Sequence, residues 1–523
     1  MKRVDLVRRA ALGDTIRRSA RRNPEKIALV DEKDQRFTYQ ELNQAVNRCA
    51  WAFYNAGFKK GDSVATIAMN SGQLLILMYG AAKAGLIFTP INPGLTNEMI
   101  LYILNHSESR MLVVDDALYP KIEPDLDKMG GIEHKLKLNI AGKEVPGFKD
   151  FSEFIQNEKS EEFEEVEIWE RDISKLLYTS GTTAEPKGVL VSHLAEFVSS
   201  LGNIIEVDIR ESDVFNIMMP LFHCAMLTLN NSVFHVGATG VVFRQFDPQH
   251  FLNKIQEEKI SWVFALPMMY RALLGQPNLK EFDLSSLRFC LYAMAPMDQV
   301  TLEKCIETFQ ADFALGTGMT EVYPSTFAFR PEDQLRKEGP YWGIPSLIYD
   351  CVVADDDGNI LPPGQEGELL YRGPGVMQGY LKDEEATEHS MRDGWFHSGD
   401  IGMFDEEGQF YFLDRKKDMI KTGGENVPSI KVENALLEMP EVETATAVGL
   451  PHDYWMEAIT AVVVPKKGEE LTEEKVIEWC KSKLSGFEVP KAAVILDALP
   501  MTTTGKVKKY ALREQFKDLY KEK

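Results

Sequence analysis

Helical and strand patterns alternate along the first 120 residues of this 523-residue chain. Apolar residues recur at helical spacing in residues 39–57, and residues 74–84 form a second, more apolar helical segment. Short apolar runs at residues 63–69 and 87–90 are typical of buried strands. Helices that alternate with buried strands favour a layered α/β fold with crossover connections.

A second α/β half is predicted between residues 194 and 313, where residues 262–267 and 289–293 have the composition of buried strands. Further on, the runs 367–372 and 409–413 alternate apolar and polar residues, which favours an antiparallel β layer. The chain is too long for one ordinary hydrophobic core, so we expect at least two domains.

The character of the sequence changes again near residue 415. The residues that follow carry their own patterns, namely strands at 445–449, 458–465 and 492–496 and helices at 429–438 and 473–484. These elements predict a small independent α+β domain.

Composition is that of a globular protein, with 44% hydrophobic and 26% charged residues. The net charge of −22 argues against nucleic acid as a partner, because binding a phosphate backbone needs a basic face. No apolar run approaches the roughly 20 residues of a membrane span, so we expect no transmembrane segment. The six cysteines are scattered without a C-x-x-C pair, which favours a reducing, cytoplasmic location.

Two charged segments allow simple interpretations. The Arg-rich stretch at residues 14–22 could touch anionic lipid, but we favour the solvated face of a first helix. The strongly acidic segment at residues 159–172 predicts a solvated connection.

The strongest chemical signal is residues 178–189, Tyr-Thr-Ser-Gly-Thr-Thr-Ala-Glu-Pro-Lys-Gly-Val. Glycine lets backbone N–H groups approach an anion, hydroxyls add donors, and lysine supplies a positive charge, so the segment predicts a phosphate cradle. It is not a Walker loop, because Pro186 and Gly188 replace the Gly before and the Ser or Thr after the lysine. A polar surface turn is the alternative interpretation.

Seven further segments accompany this loop in a fixed order along the chain. They are Pro-Leu-Phe-His at 220–223, Leu-Tyr-Ala-Met-Ala-Pro at 291–296, Gly-Thr-Gly-Met-Thr-Glu at 316–321, Gly-Trp-Phe-His-Ser-Gly-Asp at 394–400, Asp-Arg-Lys-Lys-Asp-Met-Ile-Lys at 414–421, Gly-Gly-Glu-Asn-Val at 423–427 and Pro-Met-Thr-Thr-Thr-Gly-Lys-Val at 500–507. The set resembles the motif series of the acyl-adenylate-forming superfamily. That superfamily includes acyl-CoA synthetases, firefly-type luciferases and peptide-synthetase adenylation domains.

The resemblance implies a division of the chain into two domains. Residues 1–414 would form a large N-terminal AMP-binding domain of two α/β layered subdomains and a β-rich subdomain. Residues 415–417 would be a hinge, with Lys417 as the pivot. Residues 418–523 would form a small mobile α+β domain that carries the catalytic lysine, Lys506.

The resemblance also implies roles for particular residues. The phosphates of ATP would contact Thr179, Ser180, Gly181, Thr182, Thr183 and Lys187. The rest of the nucleotide would contact Ala295, Pro296, Gly316, Thr317, Gly318, Met319, Thr320, Asp400 and Arg415, the last two at the ribose. Thr179, Glu321 and Lys506 would be catalytic, with Glu321 also a Mg²⁺ ligand. The acyl pocket would include His223, Cys224, Ala225, Ala293 and Met294, and Gly423 and Gly424 would line the coenzyme A channel.

Some positions depart from the family pattern. Thr317 occupies a position where the family usually has an aromatic residue that stacks on adenine, and Ala293-Met294 replaces Gly-Gly. Ser398 replaces a Thr before Gly399-Asp400. These changes affect the expected substrate and kinetics more than the expected reaction.

The function implied is an ATP-dependent acyl-CoA synthetase that uses ATP, Mg²⁺ and coenzyme A. Its acid would be a medium- or long-chain fatty, branched or aryl acid, because the predicted pocket is mostly apolar and moderately bulky. An enzyme that loads a carrier protein and a degenerate nucleotide or acyl binder without turnover are the alternatives. A homodimer is left open, as is peripheral membrane association if the acid is long.

Overall fold

The computed structural model describes residues 6–7, 9–179, 186–293, 297–501 and 507–521. Its contacts divide the chain into a first unit, Met1–Cys351 with Tyr371–Phe396, and a second unit, Val352–Leu370 with His397–Lys523. This division falls at other residues than the predicted boundary after residue 414. That boundary, the hinge at 415–417 and the mobility of the C-terminal domain stay predictions from the motifs.

The helices of the first unit lie between its strands along the sequence. They are α1 (Asp14–Arg22), α2 (Tyr39–Asn55), α3 (Gly72–Ala84), α4 (Asn97–His106), α5 (Tyr119–Ile122), α6 (Phe151–Ile155), α7 (His193–Glu206), α8 (Cys224–Val236), α9 (Pro248–Glu258), α10 (Pro267–Leu274), α11 (Gln299–Phe309) and α12 (Glu384–Ser390).

Twenty-one strands begin before residue 404 in the described part of the chain. They are β1 (Ile27–Val30), β2 (Arg36–Thr38), β3 (Ser63–Ile67), β4 (Ile87–Ile91), β5 (Met111–Asp115), β6 (His134–Leu138), β7 (Lys149–Asp150), β8 (Ile173–Thr179), β9 (Lys187–Ser192), β10 (Val214–Ile217), β11 (Thr239–Val242), β12 (Trp262–Ala265), β13 (Phe289–Ala293), β14 (Asp312–Thr317), β15 (Phe327–Phe329), β16 (Tyr341–Pro345), β17 (Asp350–Ala354), β18 (Gly367–Arg372), β19 (Gly379–Tyr380), β20 (Met391–Arg392) and β21 (Trp395–Phe404). The division between the units falls within β17, β18 and β21.

Two sheets organise the first unit. One has the order β19-β9-β8-β4-β3-β5-β6-β7, in which β8 and β9 are antiparallel and the pairs among β3, β4, β5, β6 and β8 are parallel. In the other, the order runs β16-β15-β14-β13-β12-β10-β11-β1-β2, with a parallel core from β14 to β1. The two predicted α/β halves are confirmed.

The second unit is α+β. Its elements are β22 (Phe410–Arg415), β23 (Ile420–Thr422), β24 (Glu425–Val427), α13 (Ser429–Leu437), β25 (Val442–His452), β26 (Met456–Pro465), α14 (Glu473–Lys483), β27 (Ala492–Ile495) and α15 (Lys509–Gln515). One sheet has the order β24-β23-β26-β25, with β27 beside β26. Strands β21 and β22 form an antiparallel pair, as the alternating pattern near residue 409 predicts. The predicted fold class is confirmed.

Local chemistry explains where elements begin and end. Helix α2 starts after a capping box, in which Thr38 and Glu41 each accept a hydrogen bond from the other's backbone N–H. The prediction of a strand through residue 267 is wrong at its end. Strand β12 stops at Ala265 because Pro267 is the first residue of α10. N–H groups in the first turn of a helix have no partner within the helix, so a proline there costs no hydrogen bond.

One carboxylate of the acidic segment 159–172 reaches a buried lysine. The carboxylate of Glu162 accepts hydrogen bonds from Lys83, which is fully buried, and from Asn47 at 3.2 Å. Burial lowers the pKa of the Lys83 ammonium group, while the carboxylate of Glu162 opposes that shift. Most of the segment is exposed or half-buried, as a solvated connection should be, and Glu162 also supplies the counter-charge of a buried lysine.

The cysteines and the helices bear on two expectations from composition. All six cysteines are free thiols. Within the described part of the chain, every helix is too short or too polar to cross a membrane.

A buried ion pair involves β8, the strand that precedes the predicted phosphate loop in sequence. Lys175 of β8 and Glu196 of α7 are both almost fully buried, and the ammonium group donates to the carboxylate. Glu196 also accepts hydrogen bonds from Asn231 of α8 at 2.8 Å and from the hydroxyl of Tyr323 at 3.3 Å. This carboxylate therefore links the stem of the loop to two helices and to the chain around Tyr323.

We expect Lys175→Met to lower the free energy of unfolding by about 3–5 kcal/mol, because the charge of Glu196 then stays buried without its partner. The double variant Lys175→Met/Glu196→Gln should recover most of that loss. Urea unfolding of the full chain measures both. Arg271→Met is the control, since it breaks an exposed pair with Asp298 and should cost less than about 1 kcal/mol. A double variant as unstable as Lys175→Met alone would contradict this account.

Candidate functional site

The predicted phosphate loop connects the antiparallel strands β8 and β9. Thr179, the last residue of β8, pairs in register with Lys187, the first residue of β9. One step further in, Gly188 pairs with Tyr178, and a Cβ at Gly188 would come within 3.2 Å of the Tyr178 ring. A residue larger than glycine at position 188 would therefore crowd the ring of Tyr178 on the paired strand. The predicted residues Ser180, Gly181, Thr182 and Thr183 lie outside the described residues.

The ammonium group of Lys187 has two neighbours that the sequence analysis did not identify. It lies 4.9 Å from the ring centroid of Tyr380 and 3.6 Å from Oδ2 of Asp383. Tyr380 belongs to β19, which pairs with β9 so that Tyr380 opposes Val189. The same strand that carries Lys187 thus also fixes the tyrosine beside it.

Tyr380 also contacts the predicted metal ligand. Its hydroxyl donates to Oε1 of Glu321 at 3.2 Å. The backbone carbonyl of Glu321 accepts from the N–H of Met377 at 2.8 Å, which holds this loop beside the segment that leads into β19. Lys187 and Glu321, predicted from two separate motifs, therefore both contact the side chain of Tyr380.

Burial raises the pKa of the Tyr380 phenol, and the nearby charge of Glu321 raises it further. A phenol is already protonated at neutral pH, and this shift favours the same form. The phenol acts as a hydrogen-bond donor to the carboxylate.

Two of the predicted segments, residues 220–223 and residues 316–321, meet at the start of α8. Helix α8 begins at Cys224, and His223 is its N-cap residue, with Nδ1 accepting from the N–H of Ala225 at 3.4 Å. The hydroxyl of Thr320 donates to Sγ of Cys224 at 3.4 Å. Three predicted acyl-pocket residues, His223, Cys224 and Ala225, thus lie close to Thr320, which is predicted to contact the nucleotide.

Strands β13 and β14 bring two more predicted segments together. Ala293 and Gly316 are register partners at the carboxyl ends of these parallel strands, the edge where α/β sheets bind ligands. Thr317 follows, and its hydroxyl lies 3.3 Å from that of Thr326.

The chain then turns through two more predicted residues, Gly318 and Met319. A Cβ at Gly318 would lie 2.9 Å from Pro324, so this turn has room only for glycine. The predicted residues Met294, Ala295 and Pro296 lie outside the described residues.

In the second unit, the predicted ribose-binding residues form an ion pair. Asp400 of β21 and Arg415 of β22 are register partners, and Nε of Arg415 lies 2.7 Å from Oδ1 of Asp400. Asp400 is buried, whereas the Arg415 side chain is 39% exposed. The hydroxyl of Ser398 accepts from the N–H of Asp400 at 3.0 Å and donates to the carbonyl of Leu369 at 2.6 Å. Ser398, which replaces the family's Thr, therefore makes two hydrogen bonds that hold β21 in place.

The predicted hinge lies in a turn after β22. Within this turn the carbonyl of Arg415 accepts from the N–H groups of Asp418 and Met419, at 2.8 and 2.9 Å. Arg513 of α15 donates to the carbonyl of Lys417 at 3.3 Å and pairs with Asp418 at 2.7 Å. The turn thus contacts α15 within the second unit, and the role of Lys417 as a pivot stays a prediction.

Gly423 and Gly424 form the turn between β23 and β24. Their φ angles are +59° and +89°, which a two-residue hairpin of type I′ requires. A Cβ at Gly423 would also lie 2.9 Å from the ring of Trp455. Turn geometry explains both glycines, and their predicted place along a coenzyme A channel stays a prediction. Lys506 lies outside the described residues.

Tyr380 and Asp383 are functional candidates that sequence reasoning missed. Asp383 precedes Glu384 and Glu385 and accepts from the N–H of Ala386, so its sequence signal is that of a helix N-cap. Tyr380 carries no pattern of its own. Only the pairing of β19 with β9 brings it to Lys187.

Comparison with known proteins agrees with this arrangement. Residues 16–381 match the family described as AMP-binding enzyme, and residues 431–506 match the AMP-binding enzyme C-terminal domain. A feruloyl-CoA synthase from an Amycolatopsis species is 32% identical over 511 residues, which cover 98% of this chain and 100% of the relative. A crotonobetaine/carnitine–CoA ligase from Proteus mirabilis is 33% identical over 504 residues, with 93% and 96% covered.

Among solved structures, a Mycobacterium tuberculosis fatty acyl CoA synthetase is 30% identical, with a TM-score of 0.79 over 98% of this chain and 99% of that one. Fold and sequence together define an AMP-forming acid–CoA ligase. The chain belongs to the AMP-binding enzyme family, the acyl-adenylate-forming acyl-CoA synthetases. Its substrate is an acyl or aryl acid, and its use of ATP and coenzyme A follows from the family.

If Asp400 and Arg415 bind the ribose as predicted, Asp400→Asn and Arg415→Met should each raise the KM for ATP about 10- to 100-fold, since each would remove a charge-assisted hydrogen bond. Steady-state kinetics with ATP varied at saturating acid measure this. Lys475→Met is the matched control, because it removes a more exposed ion pair with Glu441 of the same unit. If all three variants keep the wild-type KM for ATP, the ribose assignment is wrong.

Proposed function

We propose that the enzyme activates an apolar carboxylic acid in two steps. The carboxylate attacks the α-phosphorus of ATP, which forms an acyl adenylate and releases pyrophosphate. The thiol of coenzyme A then attacks the acyl carbonyl, and AMP leaves. Both steps depend on positioning and charge neutralisation more than on covalent chemistry by the protein.

The observation that carries the adenylation step is the shared contact of Lys187 and Glu321 with Tyr380. One group is a cation suited to phosphate oxygens, and the other is a hard oxygen ligand. Thr179 lies in register with Lys187, so its hydroxyl starts the predicted cradle on the opposite strand. We infer that this part of the first unit binds the phosphates of ATP.

The residues present fit a Mg²⁺ ion that arrives with ATP. Among the described residues, no group of three or more His, Cys, Asp or Glu side chains could hold a metal by itself. Mg²⁺ commonly takes one or two carboxylates together with substrate phosphates, and Glu321 supplies one such carboxylate. When bound, the ion would neutralise phosphate charge.

We assign Lys506 to the attacking carboxylate and the α-phosphate, and Asp400 with Arg415 to the ribose. For Asp400, its buried position and fixed ion pair support this role, because a carboxylate held in one place can accept from both ribose hydroxyls. Lys417 would be the pivot that lets Lys506 leave before the thiol arrives.

A surface of the second unit supports coenzyme A as the acceptor. Tyr454 is 79% exposed and Trp455 follows it, with the two rings 4.7 Å apart. The ammonium group of Lys491 lies 4.9 Å from the ring of Trp455, and the N–H of Gly423 donates to the carbonyl of Trp455 at 2.8 Å. Aromatic faces beside a positive charge are suited to a nucleotide that carries phosphates.

The acid is proposed to be a fatty, branched or aryl acid. Cys224, Ala225 and Ala293, three of the predicted pocket residues, offer no charge to bind a second ionised group on the acid. The names of two similar proteins, a feruloyl-CoA synthase and a fatty acyl CoA synthetase, support an aryl or fatty acid.

The experiment that tests this function is acid-dependent exchange of labelled pyrophosphate into ATP, followed by coenzyme A-dependent release of AMP, over a panel of fatty, branched and aryl acids. We expect both reactions with the same acids. A binder without turnover would show no exchange. An enzyme that loads a carrier protein would show pyrophosphate exchange, but adding coenzyme A would not cause release of AMP.

Two variants separate the half-reactions. Lys506→Ala should lower pyrophosphate exchange by about 10²–10³-fold or more, yet spare thioester formation from a supplied acyl adenylate. Trp455→Ala should do the reverse, with normal exchange and a KM for coenzyme A raised about 10-fold. Phe487→Ala, at another exposed aromatic of the same unit, is the control. Equal loss of both half-reactions in either variant would contradict the assignment.

A further inference from the structure

One phenol contacts both charged groups of the proposed phosphate site. The hydroxyl of Tyr380 lies 3.2 Å from Oε1 of Glu321, and its ring centroid lies 4.9 Å from Nζ of Lys187. The edge and the face of one side chain thus bind opposite charges. Asp383 lies 3.6 Å from the same ammonium group and balances its charge.

Tyr380 is itself held firmly. Its N–H donates to the hydroxyl of Thr387 at 2.9 Å, and the following residue, Leu381, donates to the carbonyl of Gly188 at 2.7 Å. Strand pairing with β9, in which Gly379 opposes Leu190 and Tyr380 opposes Val189, also fixes its backbone. A tyrosine hydroxyl is protonated at neutral pH, so it can donate to the carboxylate of Glu321.

We propose that Tyr380 is a positioning residue for adenylation, which orients the carboxylate of Glu321 with its hydroxyl and places the ammonium group of Lys187 with its ring. This rests on the proposed function, since it assigns Glu321 to Mg²⁺ and Lys187 to phosphate. A bond to Oε1 restricts rotation of the carboxylate and leaves Oε2 for the cation. A cation over an aromatic ring is held more weakly than one bonded to phosphate, so ATP can take Lys187 from a position already close to it.

The two contacts can be removed one at a time. Tyr380→Phe removes the hydroxyl bond to Glu321 and keeps the ring beside Lys187. Tyr380→Leu removes both. The two variants should therefore differ in their response to ATP and agree in their response to Mg²⁺.

The test measures pyrophosphate exchange while Mg²⁺ and ATP are varied independently. We expect Tyr380→Phe to raise the Mg²⁺ concentration for half-maximal exchange about 10-fold, with the KM for ATP within about twofold of wild type. Tyr380→Leu should show the same Mg²⁺ effect and a KM for ATP raised a further several-fold, because Lys187 is no longer preorganised. Tyr39→Phe is the matched control, since it loses a buried hydroxyl bond to the carbonyl of Ala238 and should leave both constants unchanged.

Calorimetry of ATP binding with and without Mg²⁺ provides a readout that needs no turnover. The Mg²⁺-dependent gain in ATP affinity should fall about 10-fold in Tyr380→Phe and stay at the wild-type value in Tyr39→Phe. Equal Mg²⁺ dependence in Tyr380→Phe and wild type would overturn the inference. If the wild type shows normal exchange, equal Mg²⁺ dependence refutes only the role of Tyr380 and leaves the proposed function intact. If the wild type shows no exchange, the proposed function is refuted. Calorimetry still decides the role of Tyr380 in that case.

Discussion

The contact of one neutral phenol with two opposite charges is the interaction on which the proposed site depends. Lys187 and Glu321 would cancel each other as a direct ion pair, and neither would then be available to a phosphate or a metal ion. Tyr380 instead lies 4.9 Å from the ammonium group and 3.2 Å from the carboxylate. Lys187 also lies 3.6 Å from Oδ2 of Asp383, and a phosphate would take the ammonium group from the ring and from this partly exposed carboxylate. Glu321 would keep its bond to the Tyr380 hydroxyl and offer its other oxygen to the metal ion.

The buried ion pair of Glu196 and Lys175 stabilises this arrangement. The carboxylate of Glu196 binds Lys175 in the strand that leads to the phosphate loop, and it also accepts from Tyr323, two residues after Glu321. The stem of the loop and the loop that carries the proposed metal ligand therefore share one anchor. Such a network is costly to leave half-satisfied, so it favours one arrangement of the two segments over others.

Much of the fold was predictable because helical and strand periods alternate clearly along the chain, and the order of the motifs pointed to Lys187, Glu321, Asp400 and Arg415. Boundaries depended on local chemistry, as where Pro267 starts a helix and ends the predicted strand. Tyr380 was not predictable. It is 59 residues from Glu321 in sequence, and only the pairing of two short strands, which leaves no periodic signal, brings it to the site.

The most direct measurement is a crystal structure of the protein with Mg²⁺ and a non-hydrolysable ATP analogue. Our account predicts that Nζ of Lys187 leaves the ring of Tyr380 for a phosphate oxygen, while the hydroxyl of Tyr380 stays bonded to Glu321 and the other carboxylate oxygen faces the metal ion. A complex in which Lys187 remains on the ring, or in which the metal ion is held without Glu321, would contradict it.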